Sequence, residues 1–148
     1  MKTGSCLCGA VSFEVRGDLR PVLACHCIQC RKQTGNYMSA TACADSELAF
    51  TKQDGLTWFR SSDIAQRGFC KACGSVLFWK RDGSDSTSIC AGAIDGATDT
   101  YLEGHIYCES AGDYYAISGG AYRKDEWQGI HLYSTSQVPE TEPLPSPG

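Results

Sequence analysis

Apolar and polar positions alternate with a period of two over several short stretches of the chain. In the segment AVSFEV, at residues 10–15, Val11, Phe13 and Val15 alternate with polar neighbours. The segments GLTWFR (55–60), SVLFWK (75–80), TSICAGA (87–93) and GHIYC (104–108) are also short, rich in aromatic or β-branched residues, and bounded by Gly, Asp or Ser. Alternation over stretches of this length predicts strands. We therefore expect an all-β domain with many turns.

Helical periodicity is confined to short segments. IQCRKQ, at residues 28–33, is the best helical candidate, KDEWQGI, at residues 124–130, is a weaker one, and no longer window keeps a clean 3.6-residue repeat. Sixteen glycines are spread along the chain, which suits tight turns between strands and loops that bind metal.

The length of the chain and its last stretch predict the domain organisation. The 148 residues are enough for one modest core, so we expect a single domain over residues 1–134. Residues 135–148 hold four of the five prolines and few apolar residues. This composition predicts a disordered tail over residues 135–148.

Net charge and the N-terminal segment exclude some classes of function. The net charge is −4, and acidic and basic residues are interspersed, so the surface is not prepared for a nucleic-acid backbone. The N-terminal segment MKTGSCLCGA has no apolar core of a signal peptide, and the longest apolar run, SVLFW, is too short to cross a membrane. We expect a soluble, cytoplasmic protein with no nucleic-acid or membrane partner, and the sequence does not predict an oligomeric state.

Cysteines carry the candidate chemistry. The chain has ten, and in a reducing compartment free thiols favour metal or catalytic roles over disulfides. Seven fall into three clusters, CLC (Cys6, Cys8), CHCIQC (Cys25, Cys27, Cys30) and CKAC (Cys70, Cys73). Cys43, Cys90 and Cys108 stand alone in strand-like segments and are most simply small buried apolar residues.

The first and third clusters predict a structural zinc site. Cys6 and Cys8 are followed by a glycine, as are Cys70 and Cys73. Glycine lets the chain turn back beneath a sulfur that accepts backbone hydrogen bonds. Four thiolates from two such turns form a closed tetrahedral zinc site, which supplies folding free energy to a small domain.

The middle cluster then leaves three ligands and a free position. Three protein ligands plus water or substrate are typical of catalytic zinc, so Cys25, Cys27 and Cys30 predict a second zinc ion that can bind a substrate thiol as thiolate. Arg31 and Lys32 follow the cluster directly, and Arg31 could receive a substrate carboxylate.

Other interpretations of this cluster stay open on the sequence alone. His26 or Cys43 could complete a second closed site, or CIQC could act as a redox pair. One metal could also be shared differently, with Cys25 and Cys27 joining the CKAC thiols. The sequence does not decide among these partitions.

The combination of motifs resembles the family of glutathione-dependent formaldehyde-activating enzymes and centromere protein V. The matching segments are GSCLCGAVSFEV (4–15), CHCIQCRKQTG (25–35), FCKACGSVLFW (69–79), CAGAID (90–95) and GHIYCES (104–110). One segment departs from the family pattern: DYYAISGGAY has Tyr114 where the family tends to have tryptophan, and it lacks the usual proline.

The resemblance implies a fold, two zinc ions and a reaction. The implied fold is a small zinc-bound multi-sheet domain, the β-tent of methionine sulfoxide reductase B, with structural zinc on the first and third clusters and catalytic zinc on the second. The implied activity is carbon–sulfur bond formation between glutathione and formaldehyde, giving S-(hydroxymethyl)glutathione, and it is classed as a lyase in the reverse direction.

Further site residues are predicted around the second cluster. His105 could shuttle a proton at neutral pH, and Gln33, Thr34 and Gly35 could contact a substrate carboxylate together with Arg31. Two other functions compete with the lyase: a non-catalytic zinc module that binds a partner, and methionine sulfoxide reduction with Cys90 as nucleophile. The residues flanking Cys90 do not match the catalytic strand of that reductase.

Overall fold

The structure, a computed structural model, describes residues 1–127 and is mostly β with several sheets, as the sequence predicts. The predicted tail, and the domain boundary at residue 134, lie outside the described residues. The strands are β1 (Lys2–Ser5), β2 (Ser12–Val15), β3 (Val22–Cys25), β4 (Met38–Ala44), β5 (Leu48–Lys52), β6 (Leu56–Arg60), β7 (Ala65–Cys70), β8 (Val76–Arg81), β9 (Ser86–Cys90), β10 (Leu102–Ile106) and β11 (Tyr122–Arg123).

The strands form two sheets. The smaller one has the order β1-β2-β5, and the larger one has the order β11-β10-β3-β4-β9-β8-β7-β6. Pairing is antiparallel except between β10 and its neighbours β3 and β11, which run parallel to it. An isolated bridge between Gly4 and Ile94 links the small sheet to the segment after β9.

The main core lies between the two sheets and is built on aromatic contacts. Phe13 and Phe50 of the small sheet both meet Phe78 of the large sheet edge to face, with ring centroids 5.2 and 5.4 Å apart. Such pairs contribute about 0.5–1.5 kcal/mol each beyond their buried area. Val11, Val15 and further buried residues complete this core, so the alternation of AVSFEV does place its apolar face inside.

The large sheet carries a second, smaller apolar cluster. It contains Cys27, Cys30, Met38 and Ala40, with Cys25 and Cys90 packed against it. Along β4 and β9 the paired residues next to this cluster have small side chains: Ala40 with Cys90, Ala42 with Ser88, and Ala44 with Ser86. These small side chains leave room above the sheet beside the CHCIQC cysteines.

The short helix predicted at IQCRKQ is confirmed as α1, Ile28–Thr34. Cys27 caps its first turn, because its sulfur accepts a hydrogen bond from the Cys30 N–H. Gly35 ends it in a left-handed conformation, with φ 85° and its N–H bonded to the Arg31 carbonyl. Among residues 1–127, no helix is long and apolar enough to span a membrane.

Candidate metal centres and the cavity beside the cysteine triad

The CLC and CKAC turns bring four sulfurs together. The Sγ atoms of Cys6, Cys8, Cys70 and Cys73 all lie within 4.8 Å of one another. Cys8 Sγ is 3.7 Å from Cys6 Sγ and 3.8 Å from Cys70 Sγ. Tetrahedral zinc with Zn–S bonds of about 2.3 Å separates its sulfurs by about 3.8 Å. The arrangement therefore fits a closed four-thiolate zinc site.

Backbone geometry supports each of these two turns. Gly9 and Gly74 have φ angles of 80° and 78°, which only glycine adopts readily. Their N–H groups return to the carbonyls of Cys6 and Cys70, at 3.2 and 2.7 Å. The Val11 N–H also donates to Cys6 Sγ at 3.3 Å. Both turns thus close beneath the sulfurs, as the glycine positions predict.

The CHCIQC cysteines form a separate group of three, here called the triad. The Sγ atoms of Cys25, Cys27 and Cys30 lie within 4.8 Å of one another. Within residues 1–127, no further cysteine, histidine or carboxylate joins either group. The structure thus separates the two groups, and neither His26 nor Cys43 completes the triad. Three soft sulfur ligands with no fourth side chain fit a zinc site with an open position.

The triad favours thiolate at Cys27. Hydrogen bonds from the Cys25 and Cys30 thiols lower the pKa of Cys27 to about 3, and the Cys30 N–H adds to this. The pKa of Cys25 is raised, because the same hydrogen bonds and the nearby negative charge oppose a second ionisation. One negative charge is thus shared over three sulfurs at the start of a helix.

A buried arginine that the sequence analysis does not predict, Arg67, lies beside the triad. Its side chain is buried, with 3% exposed. The terminal nitrogens donate to Gln33 Oε1 at 2.8 Å and Gln29 Oε1 at 3.2 Å, and they lie 3.5 and 3.6 Å from Cys30 Sγ. Burial alone would lower the pKa of Arg67, but the charge of Cys30 and the hydrogen bonds to it raise the pKa.

No carboxylate among the described residues pairs with Arg67. A buried cation is costly unless an opposite charge lies near it. The negative charge shared by the triad sulfurs is the one that the structure places beside this guanidinium. The sequence gives only a weak signal that Arg67 is buried. Arg67 lies two residues after the buried Ala65 on the same face of β7, so the arginine could be predicted inside only if the register of this strand were known.

His26 and His105 stand in a hydrogen-bond chain outside the triad. His105 Nε2 is 3.0 Å from the carbonyl oxygens of Ser118 and Gly119, so it must donate. With neutral rings, His105 Nδ1 then accepts from His26 Nε2 at 2.9 Å, and His26 Nδ1 accepts from the Tyr115 hydroxyl at 2.7 Å.

Every ring nitrogen of His26 and His105 therefore has a hydrogen-bond partner. Burial, with a smaller contribution from His105, lowers the pKa of His26 to about 4, so the ring is neutral at neutral pH. His105 is 2% exposed, and within the described residues it does not line the cavity beside the triad. This geometry favours a structural role for His105 over the predicted proton shuttle.

The residues predicted to bind substrate carboxylates lie on α1 and at its end. Gln33 receives the hydrogen bond from Arg67, and the Thr34 hydroxyl donates to the Cys30 carbonyl at 2.6 Å. The Gly35 carbonyl accepts from the Tyr114 hydroxyl at 3.0 Å, and Arg31 is partly exposed. Within the described residues, none of the four lines the cavity beside the triad.

That cavity, here called the triad cavity, has a volume of about 120 Å³. Cys25, Cys30, Arg67 and Tyr107 line the side next to the sulfurs. The rest of its wall is mainly apolar: Leu23, Met38, Ala40, Trp79 and Ile106. Tyr107 has a φ of 55°, an uncommon conformation for a residue other than glycine, and burial raises its pKa well above the usual value.

A wider groove, here called the open groove, adjoins the triad cavity. It has a volume of about 860 Å³ and shares with the cavity the residues Arg20, Trp79, Ser88 and Trp127. Its other lining residues include charged side chains of both signs: Asp18, Arg81 and Asp82. The open groove thus leads from a polar surface to the triad.

The three isolated cysteines are not poised as nucleophiles. Burial raises the pKa of Cys90 to about 12 and that of Cys43 to about 11, and it also raises the pKa of Cys108. Cys90, as a neutral thiol, packs against the smaller apolar cluster that contains Cys27 and Cys30. This does not support Cys90 as the nucleophile of a sulfoxide reductase, since the thiolate is the reactive form.

Comparisons with known proteins point to one family. A family model described as glutathione-dependent formaldehyde-activating enzyme matches residues 1–110. A protein of Schizosaccharomyces pombe named as an uncharacterized lyase is 25% identical over 113 residues, which cover 76% of this chain and 82% of that protein. A crystal structure of a Rhodobacter sphaeroides protein covers 68% of this chain and 98% of its own, with a TM-score of 0.53 and 24% identity, and so supports the fold.

Proposed function

This chain belongs to the glutathione-dependent formaldehyde-activating enzyme family, and we propose that it is a zinc-dependent lyase that joins the thiol of glutathione to a small aldehyde such as formaldehyde. The family supports a lyase-type enzyme. The observation that carries the specific reaction is the triad: three sulfurs without a fourth side chain among the described residues, beside a cavity and a groove.

Two zinc sites are part of the proposal. Cys6, Cys8, Cys70 and Cys73 would hold a structural zinc ion, and Cys25, Cys27 and Cys30 a catalytic one. When bound by the triad, zinc would lower the pKa of a thiol in its open position and stabilise the thiolate.

Arg67 and the triad cavity would do the rest of the chemistry. In the reaction the sulfur bonds to the aldehyde carbon, the carbonyl double bond becomes a single bond, and the proton lost by the thiol ends on the oxygen. The Arg67 guanidinium offsets negative charge on the sulfurs and on the oxygen as it develops. The mainly apolar wall of the cavity excludes water and holds the aldehyde carbon near the sulfur, so that proximity supplies most of the acceleration.

The open groove suits the body of a tripeptide thiol. Glutathione carries two carboxylates and one ammonium group, and the groove offers Arg20 and Arg81 beside Asp18. We therefore expect Arg81→Gln to raise the KM for glutathione with little change in kcat, since Arg81 lines the open groove but not the triad cavity. Steady-state kinetics at varied glutathione concentration measure this. An unchanged KM would remove Arg81 from the binding site.

Metal content and activity together test the proposal. Native mass spectrometry of the zinc-loaded protein should give two zinc ions per chain, and Cys27→Ser should lose one of them. The same substitution should abolish the acceleration of S-(hydroxymethyl)glutathione formation, followed by NMR exchange against the reaction without protein. The domain should stay folded, because the four-cysteine site is intact.

Cys90→Ser is the matched control for this experiment. It also replaces a thiol that packs against the smaller apolar cluster around Cys27 and Cys30, but Cys90 is not one of the three triad cysteines. It should keep both zinc ions and the acceleration. Unchanged metal content in Cys27→Ser, or an equal loss in both variants, would contradict the assignment of the triad.

A further inference from the structure

The triad cavity is larger than formaldehyde requires. Its volume is about 120 Å³, whereas one water molecule occupies about 30 Å³ of the liquid, and an apolar cavity of about 150 Å³ holds benzene. Formaldehyde has a single carbon atom, so even beside the glutathione sulfur it would leave part of this space unfilled. A cavity of this size fits a molecule of about five carbon and oxygen atoms.

The chemistry of the wall selects an apolar substituent. Most of the other side chains that line the cavity are apolar, with Arg20 and Ser88 as the polar exceptions: Leu23, Met38, Ala40, Trp79, Ile106 and Trp127. Met38 and Ala40 are buried on β4, and Ile106 is buried at the end of β10. Filling such a space with methylene groups gains both the transfer of apolar surface from water and the contacts that an empty cavity lacks.

The wall next to the sulfurs offers a donor for an oxygen atom. Arg67 lines the cavity. Its Nε atom is buried and has no hydrogen-bond partner among the described residues, and no other buried side-chain nitrogen or oxygen there is left unpaired. Leaving a buried N–H of a cation unpaired is costly. A carbonyl oxygen bound beside the triad would supply the missing acceptor.

We propose that the triad cavity selects an aldehyde with a straight alkyl chain, optimal at about four carbons, whose oxygen is held on the Arg67 side. This inference rests on the proposed function and names the electrophile for it. The glutathione sulfur bonds to the aldehyde carbon, the carbonyl double bond opens, and the thiol proton ends on the oxygen, giving a hemithioacetal. No oxidant or reductant is needed.

The test compares aldehydes of equal intrinsic reactivity. The zinc-loaded protein and glutathione are combined with ethanal, propanal, butanal or pentanal, and kcat/KM is measured by NMR against the reaction without protein. We expect kcat/KM to rise about fourfold with each added methylene up to butanal, and to stop rising once the cavity is full. Values that do not change along the series would overturn the inference.

Two substitutions should move the optimum in opposite directions. Ala40→Val fills part of the cavity and should shorten the preferred chain by about one carbon, while Leu23→Ala enlarges it and should lengthen the preferred chain. Opposite shifts cannot come from a general loss of stability, which would lower all rates alike. The same chain-length optimum in both variants would place the alkyl group elsewhere.

A binding measurement separates this inference from the proposed function. Primary amides from acetamide to pentanamide have the shape and the oxygen of the aldehydes but do not react with thiols. NMR titration of the zinc-loaded protein should show the Kd falling about fourfold with each methylene. If neither formaldehyde nor any aldehyde of the series reacts faster with glutathione in the presence of the protein, the proposed function fails. If the reaction is accelerated but both series are flat, only the alkyl cavity fails.

Discussion

At the scale of single residues, one buried arginine sets the electrostatics of the candidate site. Arg67 is buried, bonds to two glutamine side chains of α1, and lies against Cys30. Because no carboxylate of the described residues pairs with it, the guanidinium and the negative charge of the triad stabilise each other. Metal binding requires all three sulfurs as thiolates, so the affinity of the triad for zinc should depend on Arg67.

We therefore expect Arg67→Met to weaken zinc binding at the triad by about 10- to 100-fold, the usual effect of removing a group that supports metal ligands. Competition with a chromophoric chelator measures the affinity of each site separately. The four-cysteine site should be unchanged, because Arg67 does not contact it. Arg67→Lys keeps the charge but not both bonds to glutamine, so it should lose less; a loss equal to that of Arg67→Met would mean that hydrogen bonding, not charge, is the cause.

Two adjacent tyrosines differ in what their hydroxyl groups do. The Tyr115 hydroxyl donates to His26 Nδ1 and accepts from the Gly112 N–H, whereas Tyr114 is 60% exposed and donates to the Gly35 carbonyl. Tyr115→Phe leaves a buried ring nitrogen unpaired and should reduce the free energy of unfolding by about 1–3 kcal/mol. Urea denaturation of the zinc-loaded protein measures it.

Tyr114→Phe is the matched control for that substitution. Its hydroxyl lies at the surface, where water replaces the lost bond, so the change should stay within about 0.5 kcal/mol. Equal effects of the two substitutions would mean that the His26 and His105 chain does not stabilise the fold.

At the scale of elements, alternation in the sequence predicts five of the eleven strands among the described residues. β2, β6, β8, β9 and β10 lie in segments with aromatic or β-branched residues, and the helix α1 lies where the periodicity places it. β4 is missed for a physical reason: its sequence MSATACA is rich in alanine, which has low strand propensity. Those small residues line the triad cavity and the open groove, so the local rule fails where the candidate site needs space.

The cysteine spacing favours the grouping of sulfurs that the structure has, without excluding the other partitions, and it does not predict what surrounds them. The two groups follow from glycine-closed turns and a capped helix, which are local features. Arg67 lies 37 residues after Cys30 in the chain and reaches it only through the pairing of β7 in the large sheet. The same is true of the triad cavity, whose walls come from β3, β4, β8 and β10. Long-range register of this kind is not encoded in any short motif.

The turn between β5 and β6 is packed between the CLC and CKAC turns. The Gly55 N–H donates to the Ala10 carbonyl, and the Gly55 carbonyl accepts from Lys71. A Cβ atom at residue 55 would lie 2.7 Å from Cys70 Sγ and 2.8 Å from Ala10 Cβ. Only glycine therefore fits without displacing a proposed zinc ligand.

Gly55→Ala should accordingly destabilise the protein by about 1–3 kcal/mol, the usual cost of overpacking, and should also weaken zinc binding at the four-cysteine site. Gly92→Ala is the matched control, since a Cβ there meets nothing within 4 Å. Chemical denaturation and chelator competition on both variants measure the two effects. Loss of stability without loss of zinc affinity would mean that the turn, and not the sulfur, takes up the strain.

At the scale of the whole molecule, the two cysteine groups occupy different places in the architecture. The four-cysteine group joins the turn between β1 and β2, in the small sheet, to the turn between β7 and β8, in the large sheet. The triad lies at the end of β3 and the start of α1, so it ties together only neighbouring segments. Zinc in the first group would hold the two sheets against each other, whereas zinc in the second would add little to the fold.

This difference predicts unequal effects from chemically identical substitutions. Cys8→Ser should reduce the free energy of unfolding by at least about 4 kcal/mol, the range of a lost structural metal, although Cys8 itself is exposed and contributes little packing. Cys27→Ser should cost far less, even though Cys27 is buried. Urea denaturation of both variants in excess zinc decides the matter. If stability followed burial, Cys27→Ser would be the more damaging change, and the four-cysteine group would not hold the two sheets together.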